Sequence, residues 1–97
     1  MTHILSLTFT IERALHVVLT QQGSDSIVAE VFIPVTRTFD SDLVQEMRTF
    51  FELHAVDVQS LDIQLKEGAL DKNTLPYRMA YTWKSAIESL KAREAAT

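Results

Sequence analysis

Three histidines, thirteen carboxylates and two tyrosines are the groups through which this 97-residue chain could do chemistry. The chain has no cysteine, which excludes thiol catalysis, disulfides and thiolate-ligated zinc. His3, His16 and His54 are far apart and form no local pair, so they do not outline the four-donor set a zinc ion needs. His54 ends an apolar helical stripe, where an imidazolium would meet the negative end of the helix, and the spacing predicts a structural role. Glu30, Asp57 and Asp62 lie in or beside strand-like segments, and a pair of them could serve acid–base chemistry. On a sheet with one wet face, however, outward carboxylates ordinarily just meet solvent. Gly23 and Gly68 are isolated, so there is no phosphate-cradling loop, and neither a nucleophile elbow nor an H-E-x-x-H pair is present. We assign no catalytic residue, no metal ligand and no cofactor; the sequence reads as a binding protein rather than an enzyme.

One constellation does suggest contact with another molecule. Tyr77, Tyr81, Lys84 and Glu88 follow i, i+4, i+7, i+11 spacing, with Arg78 beside them. On a helix these positions share a narrow band. Tyr and Arg are enriched where proteins bind one another. The ordinary alternative is that the tyrosines cover a sheet edge and send their hydroxyls to water.

Two helices must position these groups. Over 40–54, Leu43, Val44, Met47, Phe50 and Phe51 recur at helical spacing, and Asp40, Ser41 and Asp42 sit where a cap and early negative charge stabilise a first turn. A second helix is expected over 74–93, with Pro76 tolerated in its first turn and Met79, Ala80, Trp83, Ala86, Ile87 and Leu90 as its buried stripe. A frayed tail is expected over 92–97. Phe50, Phe51 and Trp83 are expected to supply much of the core.

The remainder reads as sheet. Ile4 to Ile11 alternates apolar and polar residues, and Ser26 to Val35 reads as the next strand, with Val28, Glu30 and Phe32 on one side and Ile27, Ala29, Val31 and Ile33 as the better core face. Residues 11–22 fit either a helix ending at Gly23 or a strand paired with 27–33 across the turn Gln21 to Asp25. The adjacent Val17 and Val18 and the lack of a cap at Glu12 favour the strand. Val56 to Leu65 reads as a further strand with a bulge or a change of face at Gln59 and Ser60, and Lys66-Glu67-Gly68 turns the chain. The fold class is therefore α+β: a three- to four-stranded, mainly antiparallel sheet with both helices on one face, forming a single domain over 1–97. Were 11–22 helical, the order would be β-α-β-α-β-α.

Net charge is −4 and unevenly placed. Residues 1–65 hold three basic against nine acidic groups, and residues 66–97 hold six against four. An acidic body makes a poor general nucleic-acid binder. No apolar run approaches the roughly 20 residues of a membrane span, and the N-terminus lacks the basic flank of a secretory signal. These features predict a cytoplasmic protein that does not enter membranes. The first functional expectation is a protein-interaction module, a regulator, inhibitor or adaptor docking on a larger protein, as an inhibitor encoded by a phage or mobile element would. The second is nucleic-acid binding through the basic final helix, with Tyr77 and Tyr81 as stacking platforms. The third is a small enzyme or ligand binder using Glu30, Asp57 and Asp62. Apolar sheet edges at the strand ending Ile33-Pro34 and the strand starting at Ile4 also predict a homodimer.

Overall fold

Alternation of apolar and polar residues builds strands here, and helical spacing builds the layer that covers them. A computed structural model describes residues 2–24, 26–66 and 68–96, with side chains to residue 93. Asp25 and Glu67, which fall in two expected turns, lie outside the described residues. The elements are β1 (His3–Phe9), β2 (Ala14–Gln21), β3 (Ile27–Pro34), α1 (Phe39–Leu53), a 3₁₀ turn (Val58–Ser60), β4 (Leu61–Lys66) and α2 (Leu75–Ala96). The strands form one four-stranded sheet in the order β3-β2-β1-β4. The fold is α+β, and the strand reading of 11–22 holds as β2.

The sheet is mixed rather than mainly antiparallel. β2 pairs antiparallel with both β1 and β3, whereas β4 runs parallel to β1. Consecutive hairpins produce the first three strands, but α1 then carries the chain across the sheet, and a strand returned by a helical crossover lands parallel. This places β1 inside the sheet, so the strand starting at Ile4 is no edge; β3 and β4 are the edges. Val56 to Leu65 is not one bulged strand. Asp57 Oδ1 accepts a hydrogen bond from the Gln59 amide at 3.1 Å and opens the 3₁₀ turn, after which β4 begins.

One face of the sheet carries the core. Leu5, Leu7 and Phe9 of β1 alternate inward, as do Leu15, Val17 and Leu19 of β2, and all six are buried. Ile33 joins them, but Ile27 does not: it is 55% exposed. A register shift between Leu19 and Thr20 pairs Ile27 with Thr20 and so with the other face.

α1 begins at Phe39, one residue earlier than expected, and that residue is fully inside. Thr38 is the N-cap, and its hydroxyl donates to Asp42 Oδ2 at 3.0 Å. The helix buries Phe39, Leu43, Met47 and Phe50. Val44, expected in the stripe, is 50% exposed, Phe51 is half-buried and His54 is exposed. Taking Leu43 as the centre, Val44 and Phe51 lie about 80–100° to one side, which is the flank of the stripe. His54 serves as the C-cap, with its ring edge-on to Phe50 at 4.9 Å. Among the described side chains of α2, only Ala80 is fully buried; Met79, Trp83 and Ile87 are half-buried, and Ala86 and Leu90 are exposed. The helix continues to Ala96, so the tail marked for fraying starts inside it, and Thr97 lies outside the described residues. Lys91 Nζ donates to the Leu61 carbonyl at 2.8 Å, tying the end of α2 to the start of β4.

These positions rank the large residues. Phe39→Ala should cost about 3–5 kcal/mol in a denaturant melt, and half-buried Phe51 and Trp83, which sequence spacing placed in the centre, should each lose less. A sharper expectation attaches to Gly68, whose φ is +60° and where a Cβ would stand 2.4 Å from the Phe9 carbonyl oxygen. Ala69 N–H bonds that same oxygen at 2.9 Å. Gly68→Ala should therefore destabilise the fold by more than about 1–2 kcal/mol, the cost of the left-handed backbone alone; an unchanged melting midpoint would contradict the close approach.

Candidate protein-docking surface

The side of the molecule away from the sheet is built by α1 and α2. The α1 flank that carries Asp40, Val44 and Phe51 faces α2, and Phe51 meets Trp83 edge-on at 5.9 Å. Beside that contact a groove of about 570 Å³ opens between the helices. Leu43 and Val44 line it from α1, and Leu75, Met79, Trp83 and Ala86 from α2, with Asp40 and Arg78 contributing opposite charges. Leu75 is 63% exposed, a large apolar side chain held in water at the mouth of a helix groove. Thr82 also lines it, with its hydroxyl donated to the Arg78 carbonyl at 2.9 Å.

The expected Tyr77, Arg78, Tyr81, Lys84, Glu88 band is divided by the fold. Tyr77 is half-buried and its ring lies 6.3 Å from that of Phe9, so it belongs to the core margin. Lys84 is half-buried and donates to Glu88 Oε1 at 2.7 Å. Tyr81 is 56% exposed, and Arg78 and Glu88 are exposed. The cause is angular: Tyr77 and Lys84 lie only about 40–60° around the helix from buried Ala80, while Tyr81 lies about 100° away. Tyr77, Arg78, Tyr81 and Thr82, with Lys72 and Asn73, line a second, smaller depression of about 370 Å³. Arg78 and Thr82 therefore form the ridge between two hollows. Sequence spacing assigns Met79 and Ala86 to the buried stripe and does not single out Leu75 or Thr82, although the four repeat at i, i+4, i+7, i+11 as regularly as the tyrosine set. What it lacked was the position of α1, which turns that stripe into a groove wall.

The carboxylates do not converge. Glu30 is on β3 and Asp62 on β4, the opposite edges of the sheet, roughly 14 Å apart at ordinary strand spacing. Asp57 lies off the sheet and caps the 3₁₀ turn. Glu30 Oε2 instead pairs with His16 Nε2 at 2.7 Å, and the His16 ring stacks on Phe32 at 4.2 Å with the planes nearly parallel. Asp62 Oδ2 accepts from Gln64 Nε2 at 3.3 Å. Among the described residues, no group of three or more histidines and carboxylates is arranged to hold a metal ion.

Neither a protein-family model nor a characterised protein sequence matches the chain. A solved structure does: YeaZ from Pseudomonas aeruginosa superposes with a TM-score of 0.70 at 19% identity, over 95% of this chain and 41% of that one. At that identity the likeness is one of fold. The chain spans about two fifths of that protein's length.

The division of the tyrosines has a direct consequence. Tyr77→Ala should lower the melting point measurably by opening a gap beside Phe9, while Tyr81→Ala should leave it within about 0.5 kcal/mol of the parent, as surface changes do. Paired thermal melts check this.

Proposed function

We propose that this protein is a non-enzymatic protein-interaction module, a regulator, inhibitor or adaptor of a larger protein, and that it docks through the α1–α2 side. The observation that supports this reading most is the apolar groove in which Val44 and Leu75 stand in water between the charges of Asp40 and Arg78. A contiguous apolar surface rimmed by polar groups is what a partner's side chains fill. Tyr81 and Arg78 extend the surface over the neighbouring depression. Among the described residues no helix is long and apolar enough to cross a membrane, and a cytoplasmic setting is part of the proposal.

The nucleic-acid reading is weakened by where the basic groups go. Lys84 is engaged by Glu88, and Lys91 is turned onto the Leu61 carbonyl. A phosphate-tracking surface needs several free cations on one face. The enzyme reading loses its support with the separation of Glu30, Asp57 and Asp62.

The test is affinity capture from the native cell with the parent chain and with Val44→Asp and Arg78→Glu variants. Both side chains are exposed, so circular dichroism and melting should stay near the parent. For the principal captured partner, a variant placed in a hot spot should bind about thirtyfold more weakly, corresponding to about 2 kcal/mol. Folded variants that retain full affinity would remove this face from the docking proposal.

A further inference from the structure

The outer edge of β3 is a second surface, distinct from the helix groove. Val35 N–H donates to the Arg13 carbonyl of the β2 side at 2.9 Å. Backbone groups alternate along a strand, so Ile33 and Val31 also turn their N–H and C=O towards β2, while Pro34, Phe32 and Glu30 turn theirs outward. Pro34 thus sits where its missing N–H removes nothing from the sheet. Among the described residues no strand pairs with this edge. It is also apolar in an unusual degree, with Ile27 55%, Val28 50% and Phe32 54% exposed on one eight-residue strand. The opposite edge, β4, presents Asp62, Gln64 and Lys66 instead.

We propose that β3 is a self-pairing edge, and that a second copy of this chain adds its own β3 antiparallel, in a two-fold register centred on Val31. A second copy matches this strand apolar to apolar over Val28 with Pro34, Ala29 with Ile33 and Val31 with itself. The backbone sets the register: a centre at Phe32 would put Pro34, which has no N–H, into the hydrogen-bonded pairs next to the two-fold. Because open-face residues must meet open-face residues, the centre can fall only on a residue of the strand and not between two. A centre at Glu30 would set two carboxylates directly opposite one another, which is destabilising. A centre at Val31 sets Glu30 opposite the second copy's Phe32, and Phe32 opposite the second copy's Glu30. Both residues have outward backbone groups, so each of these pairs exchanges two N–H to C=O hydrogen bonds, and the two Val31 side chains meet at a closely spaced, non-hydrogen-bonded pair. Each carboxylate then lies beside a Phe32 ring that is already stacked on His16. The result is one continuous eight-stranded sheet in which exposed Val28 comes opposite the second copy's Pro34.

The experiment is sedimentation equilibrium up to millimolar chain concentration, joined to a charge-swap cycle. Phe32→Glu sets like charges opposite one another twice in each dimer, and should weaken association by about tenfold or more without unfolding an exposed site. Adding Glu30→Lys to Phe32→Glu makes both pairs attractive and should restore association, which no loss of folding would do. Because the chain has no cysteine, Val31→Cys reports the register directly. Air oxidation should link it into a covalent dimer faster than Glu30→Cys, since two-fold centring brings only the Val31 positions within disulfide reach. A monomeric mass throughout, a dimer indifferent to Phe32→Glu, or preferential linking of Glu30→Cys would each overturn the proposal.

Discussion

The burial of alternate β1 side chains governs the rest of the molecule. Leu5, Leu7 and Phe9 are fully inside, and β1 is hydrogen-bonded on both sides, to β2 and to β4. A pleated strand sends successive residues to opposite faces, so fixing these three fixes the face on which every neighbouring strand must also bury its apolar set. Both helices then have only one place to lie. The other face is left with Ser6, Thr8, His16 and Thr20, none of them fully buried, and it remains a wet surface held by cross-strand pairs such as His16–Phe32.

The helix layer is fitted to the sheet more tightly at some points than at others. Four large residues of α1 enter the core, whereas α2, among its described side chains, sends in one alanine and a margin of half-buried groups. Ala80 is small, which lets the α2 backbone come close to the sheet, and Tyr77, Met79, Trp83 and Ile87 splay around it. The spreading leaves a gap beside the Phe51–Trp83 contact, and this is the groove between the helices. The Lys84–Glu88 pair adds little, since exposed i, i+4 pairs contribute about 0.3–0.5 kcal/mol. The Lys91 contact to Leu61 matters more for geometry, because it fixes the far end of α2 against β4.

The two sheet edges are handled differently. β4 is short, charged on its open face and tied at its start by Lys91. β3 is longer and apolar, and only Pro34 and Glu30 interrupt it. Unpaired strand edges are ordinarily blunted by charge, bulge or cover. Here the register shift at Leu19 and Thr20 twists one end of β3, but it also turns Ile27 outward and enlarges the apolar edge.

The sequence by itself determined the local structure. Period-two alternation over Ile4–Ile11, the β-rich apolar run closed by Pro34 over Ser26–Val35, and the 3.6-residue repeat from Leu43 to Phe50 are properties of short windows, and they carry the strands, the helices and the α+β class. Even the ambiguous segment 11–22 was resolved in favour of a strand by its β-branched Val17 and Val18. Tertiary structure decided what depends on neighbours far away in the chain. Phe39 lies one residue outside the helix expected over 40–54 and is core, one turn before Leu43 on the buried stripe of α1. Val44 and Phe51 shared a stripe with Leu43, and only the arrival of α2 on that flank separated groove wall from core. Tyr77 and Tyr81 sit one turn apart in sequence, yet one touches Phe9 and the other meets water, because about 40° of rotation about the helix axis crosses the boundary of the buried surface. Where that boundary falls is set by packing between elements, which no window of residues contains.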